Sequence, residues 1–170
     1  LAGLNALLLS VTGEELCRTA HADHSVACGW TERYFHMFQH RYVMGGATRP
    51  NMMLLTRVWA LNCFFRAGAR VLHIDSDVAW LQSPHALFQA AAAANVGITV
   101  QSDNKLGNGG LLYAHNTGNL DTDQRTEWFL AEWHNRILGF GQDEQEALQQ
   151  VMLTAAVGSV RSDYLRDPRF

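Results

Sequence analysis

Apolar residues recur at helical spacing before residue 66 and at strand spacing soon after it. Leu54, Val58, Leu61 and Phe65 form one stripe, which Leu55 and Trp59 widen. That pattern predicts a helix, apolar over much of its surface, that packs on a sheet. Thr48-Arg49-Pro50 opens it, with Pro50 near the first turn, where a missing N–H costs nothing. Gly68 supplies a left-handed cap at its end. Arg70 to Ile74 then reads as a short apolar strand with β-branched residues, the pattern of a parallel strand covered on both faces. A helix joined so tightly to a strand is an α/β feature.

The rest of the chain continues the alternation. Ser83 caps and Pro84 starts a second helix through the alanine run Ala90 to Ala94, which Asn95 ends. Val96 to Val100 predicts a second strand leading to Gln101-Ser102-Asp103. Asn104 to Asn108 reads as a loop and Gly109 to Ala114 as a third strand. Asn116 to Asp121 is a turn. Asp123 to Leu138 is an amphipathic helix with Phe129, Leu130, Trp133 and Ile137 inward, broken at Gly139-Phe140-Gly141. Asp143 caps a last helix that runs to about Val157. The polar tail from Arg161 to Phe170 shows no clear element. At the other end, Leu4 to Val11 reads equally as a strand or a short helix, Thr12 to Leu16 as a turn into a helical start, and Gly45-Gly46 as a flexible break. No repeat or linker interrupts the pattern, so residues 1–170 are expected to form one α/β domain with a mixed, mostly parallel sheet flanked by helices.

Composition narrows the function more than the fold. A net charge of −3, with Lys105 the single lysine, leaves no broad basic face, so nucleic acid is an unsuitable partner. The chain opens on Leu1 rather than Met, and we expect a piece of a longer protein, truncated at one or both ends. Leu1 to Val11 is too short to span a bilayer. Cys17, Cys28 and Cys63 leave two readings open: a Cys17–Cys28 disulfide in an oxidising compartment, or three buried thiols. Cys17, His21, His24, Cys28, His36 and His40 lack the ligand spacing of a zinc finger.

The candidate chemistry sits where the first strand ends. In open α/β sheets ligands collect beyond the carboxyl ends of the strands, and Asp75 and Asp77 fall there. Residues i and i+2 of an extended backbone project to one side, so two hard oxygen ligands would converge on one point. Burying two like charges together is costly unless a cation neutralises them. Mg²⁺ and Mn²⁺ suit such a pair, with substrate phosphates completing the shell.

Leu54-Leu55-Thr56-Arg57-Val58-Trp59, followed by Gly68-Ala69-Arg70-Val71-Leu72-His73-Ile74-Asp75-Ser76-Asp77-Val78-Ala79-Trp80-Leu81-Gln82-Ser83-Pro84, resembles the nucleotide-diphospho-sugar transferase family, which includes plant and algal cell-wall arabinosyl- and xylosyltransferases. Gln101-Ser102-Asp103, Asn108-Gly109-Gly110-Leu111-Leu112-Tyr113 and Glu144-Gln145-Glu146-Ala147-Leu148-Gln149 are similar to later family segments, in the family's order. The resemblance implies a GT-A, Rossmann-like fold and a metal-dependent glycosyltransferase, retaining in stereochemistry. It would move a sugar, hexosyl or pentosyl, from a nucleotide-sugar donor such as a UDP-sugar to a hydroxyl acceptor on a glycan or glycoprotein. It places the enzyme in the Golgi lumen, anchored through a segment outside this chain.

Carried over by position, the resemblance gives Asp75 and Asp77 the metal, Mn²⁺ or Mg²⁺. Asp75, Ser76 and Asp77 would hold the donor's ribose-diphosphate side, and Arg57 would face the phosphates, with a solvated helix charge as its alternative. Asp103 would bind a donor sugar hydroxyl, or be an ordinary loop acid. Asn108, Gly109 and Gly110 would let the backbone approach the sugar, or form a plain turn. Around the anomeric carbon two alignments stay open, one on Glu144-Gln145 and one on Asp143-Glu144, where the family has Asp-Gln. Two other functions fit parts of the pattern. A haloacid-dehalogenase-like phosphatase also uses a strand-Asp-x-Asp, but it wants a later lysine and a further acidic pair, and no Asp-Asp pair follows. A non-catalytic binding domain of the same fold would accord with the lack of a histidine after His134, since such folds often use one as a late metal ligand.

Overall fold

A computed structural model describes residues 7–10, 15, 17–19, 27–30, 49–75, 78–79, 81–103, 106–140 and 143–157. The chain divides into two compact units, residues 1–57 and 58–170. In the first, β1 (Leu7–Ser10) pairs parallel with β2 (Ala27–Trp30), Leu7 opposite Ala27 and Ser10 opposite Trp30. The ambiguous N-terminal run therefore contains a strand. Cys17 is buried and disulfide-bonded, whereas Cys63, in the second unit, is exposed with a free thiol. Three buried thiols are thus excluded. Among the described residues no group of three or more His, Cys, Asp or Glu side chains is placed to hold a metal.

Helix α1 (Arg49–Arg66) starts in the first unit and ends in the second. Leu55, Val58, Leu61 and Phe65 of its stripe are buried. It stops as its sequence dictates. Gly68 has φ of +79°, its N–H donates to Phe65 O at 2.9 Å, and Ala69 N–H donates to Phe64 O at 3.0 Å. These two bonds satisfy carbonyls that the helix leaves open. Asn95 does the same for α2 (His85–Ala93): its φ is +53°, and Val96 N–H reaches back to Ala91 O at 2.9 Å. Asparagine tolerates that left-handed conformation better than most residues. Helix α2 begins at His85, and Ser83 contributes only a long contact, its hydroxyl 3.4 Å from His85 N.

The sheet of the second unit has the order β3-β5-β4, with β3 Val71–Ile74, β4 Ile98–Asp103 and β5 Leu106–Ala114. Both pairings are antiparallel, Ile74 lying opposite Leu111 and Val100 opposite Leu112. This corrects the expected mostly parallel sheet, for which only β1 and β2 among the described strands supply a parallel pair. The reason lies in chain length: two residues separate β4 from β5, which allows a hairpin and no crossover. β3 and β4 do run in the same direction, joined through α2, but β5 lies between them. Among the described strands β3 thus lies at the edge of this sheet, half-buried with Ile74 38% exposed, not a central strand covered on both faces.

Helices α3 (Leu120–Phe140) and α4 (Glu144–Val157) pack on one another, and α4 packs on β5. Leu112, Leu130, Trp133, Leu148 and Val151 are fully buried there. The expected inward stripe of α3 is correct in all four members. The helix ends at Phe140, within the expected break Gly139-Phe140-Gly141. No described helix is long and apolar enough to cross a membrane.

Candidate functional site

The site is built at the end of the sheet where β3 and β4 finish and β5 begins. Asp75 follows β3 directly and prolongs its pairing: its N–H donates to Gly110 O at 2.8 Å, and its carbonyl accepts from Val78 N–H at 3.2 Å. The Asp75 side chain is 46% exposed. Its Oδ1 lies 3.2 Å from Nε2 of His73, a neighbour two residues back on the same side of the strand. Its Oδ2 stands over Gly110, where a Cβ would come within 2.5 Å of it. Only a glycine leaves this carboxylate its place.

Gly110 belongs to an irregular stretch of β5. The register between β4 and β5 jumps from Val100–Leu112 to Gln101–Asn108, so extra residues, Gly109 and Gly110 among them, fall on the β5 side. Bulges of this kind re-aim the backbone, often beside active sites. The freed amides find side-chain partners. Gly110 N–H donates to Asn108 Oδ1 at 2.7 Å, and Gly109 N–H donates to Gln145 Oε1 at 3.1 Å. The other end of that amide, Gln145 Nε2, donates to Gly107 O. One side chain from the first turn of α4 therefore clamps the glycine segment through both a donor and an acceptor. Gly107 in turn admits α4: a Cβ there would overlap the Met152 thioether.

Asp143 fixes where α4 begins. Its Oδ1 accepts from Gln145 N–H at 2.9 Å and from Glu146 N–H at 3.4 Å, an N-terminal cap. Asp143 is exposed, while Glu144 is buried and its carbonyl accepts the Trp133 indole N–H at 3.0 Å. Of the three residues expected around the reaction centre, Gln145 is the one that reaches the glycine segment.

The structure thus brings together Asp75, Asn108, Gly109, Gly110 and Gln145. Asp103 closes β4 opposite Leu106, at the same end of the sheet. Ser76 and Asp77, and the side chain of Asp103, lie outside the described residues. Arg57 is half-buried on α1 in the first unit. The sequence reading missed His73 and Gly107. Alternation along β3 puts His73 beside Asp75, and three glycines in the four residues Gly107 to Gly110 already signal a close approach.

A family model described as nucleotide-diphospho-sugar transferase matches residues 13–170. The chain belongs to this family. No curated protein and no solved structure matches the chain. The match covers the Asp75 strand, the glycine bulge and the Gln145 helix together. Family membership makes this a glycosyltransferase-type enzyme that takes a nucleotide-sugar donor and an acceptor.

Proposed function

We propose that the chain transfers a sugar from a nucleotide diphosphate, a UDP-sugar, to a hydroxyl of a glycan or glycoprotein acceptor, with retention of configuration, on a GT-A scaffold. The observation that supports this most is the Asp75 carboxylate, half-exposed and seated over a glycine bulge at the end of the sheet. A carboxylate kept partly open to solvent, with Asp77 two residues on, is a suitable hard donor set for Mn²⁺ or Mg²⁺. Asp75 and Asp77 would hold that ion, which when bound supplies charge neutralisation of the leaving diphosphate.

The remaining roles belong to the chain itself. Arg57 pairs with phosphate oxygens, as a planar guanidinium does well. Ser76 and Asp77 line the ribose-diphosphate side, and Asp103 accepts from a donor hydroxyl. Gly109 and Gly110 keep the backbone low enough for the sugar to approach. Both ends of the Gln145 amide are engaged with that backbone, so Gln145 is a positioning residue. Asp143 sets the helix that carries Gln145, and Glu144 is the alternative side chain for the reaction centre. Cys17 in a disulfide supports a compartment of the secretory pathway, the Golgi lumen by this reading.

Calorimetric titration tests the proposal. Mn²⁺ and UDP should bind together, each tightening the other, and Asp75→Asn and Asp77→Asn should each abolish the coupling while leaving the circular dichroism spectrum unchanged. Parent-like UDP–Mn²⁺ affinity in both variants would remove the site.

A further inference from the structure

A second concavity lies at the opposite end of the sheet. It has a volume of about 400 Å³, within the range of small-ligand sites. Val96, just before β4, Ile98, its first residue, and Phe129 and Trp128 of α3 give it apolar walls; the exposed Asp121 and Arg125 also line it. Gly97 brings sheet and helix together here, since a Cβ would overlap the Thr126 hydroxyl. α4 connects the two places: Gln145 lies at the donor end and Ala155 at this one, about 15 Å apart at the usual helical rise.

The composition of this cleft is not what packing requires. The inward stripe of α3 is complete with Phe129, Leu130, Trp133 and Ile137, yet Trp128, one residue off it, is left 38% exposed. Asp121, Arg125 and Trp128 follow one another at i, i+4 and i+7, so they share one face of the helix. Asp121 and Arg125 pair at 2.9 Å with both side chains more than 70% exposed. Their charges cancel, which disfavours a nucleotide or a lone ion. Arg125 Nε also donates to Asp121 Oδ1 at 3.2 Å, which leaves the other guanidinium N–H groups and carboxylate lone pairs for hydroxyls beside the exposed part of Trp128.

From these observations we infer that this cleft binds a neutral glycan, one sugar ring stacking on Trp128 while vicinal hydroxyls bond to Asp121 and Arg125. Apolar sugar faces against an aromatic ring, with bidentate polar groups at the edge, are the chemistry such a cleft recognises. The choice of a glycan rests on the transferase reading. In that setting the cleft anchors a part of the acceptor chain remote from the hydroxyl that reacts.

The test probes the full chain with short neutral gluco-, galacto-, manno-, xylo- and arabino-oligosaccharides, following tryptophan fluorescence and, in parallel, Mn²⁺–UDP binding. At least one series should bind. Trp128→Ala should weaken it about tenfold, Trp128→Phe far less, and neither should change Mn²⁺–UDP affinity. Arg125→Ala should also weaken it, and this decides the matter if Trp128→Ala does not fold. Asp77→Asn should bind the oligosaccharide as the parent does. No binding by any series, or full binding in both Trp128→Ala and Arg125→Ala, overturns the inference. Oligosaccharide binding without Mn²⁺–UDP binding keeps this cleft and fails the transferase reading instead.

Discussion

A hydrogen atom in place of a methyl group decides the geometry at Asp75. Gly110→Ala would set its Cβ 2.5 Å from Asp75 Oδ2 and 3.0 Å from Asn108 Oδ1, so the carboxylate must swing away. Displacing the shell around a ligand typically weakens metal binding by about 10–100-fold, and that is the expected loss in Mn²⁺–UDP affinity. Gly118 is the control. It has φ of +82° with open space around it, so Gly118→Ala should cost about 1 kcal/mol in urea unfolding and leave binding untouched. Equal affinities for the two variants would mean that Gly110 is not needed for binding. That Asp75, Asn108, Gly109 and Gly110 lie at strand ends was legible before any coordinates, because aspartate, asparagine and glycine collect where strands end and turn. Gln145 was legible only as one of three neighbours. Which of them faces the sheet depends on the start of α4, and the Asp143 cap sets that start.

Between elements, a buried cation adds polar bonds to the apolar contact of α3 and α4. Arg136 donates from Nε to Glu132 Oε1 at 3.0 Å, and from its two terminal nitrogens to Gln150 Oε1 at 3.0 Å and Thr154 Oγ1 at 3.3 Å. Its side chain is 8% exposed, against 78% for Arg125 in the surface pair. Arg136→Met keeps much of the packing but removes the three bonds; it should cost about 2–3 kcal/mol by urea unfolding, because buried acceptors lose a charged donor. Arg125→Ala should cost at most about 0.5 kcal/mol. Comparable losses in the two would contradict the burial argument. At this scale the sequence was readable for helices and unreadable for strand order. Helix ends carry their own signals, as at Gly68 and Asn95. Alternating helix and strand suggested a mostly parallel sheet, and β3 and β4 do run the same way. Nothing local states that β5 returns between them, since that depends on pairing energies across the sheet.

Across the whole molecule, titration links the far end of β5 to stability. His115 is buried, its ring stacked on Tyr113 at 5.0 Å, and Tyr113 is stacked on Phe88 at 4.3 Å. Neither ring nitrogen of His115 has a hydrogen-bond partner among the described residues. Burial, helped by the nearby Arg70 charge and opposed by Asp123, holds its pKa below the ordinary 6.5. The unfolded chain therefore takes up this proton first as pH falls, and stability declines from about pH 6.5 until the folded-state value is passed. Asp123 acts in the same direction at lower pH. Burial raises its pKa, but bonds from Thr117 and Gly118 and the charge of His115 outweigh that and leave it below 3.8. Its stabilisation is complete above that value and is lost as pH drops through the folded one. Two separate acid-side losses follow, and a substitution can separate them. His115→Phe keeps a ring against Tyr113 and cannot charge, so the melting temperature should change less between pH 7 and pH 5 than in the parent, while the decline below about pH 4 remains. Parallel curves for parent and variant over the upper window would show that His115 does not carry it.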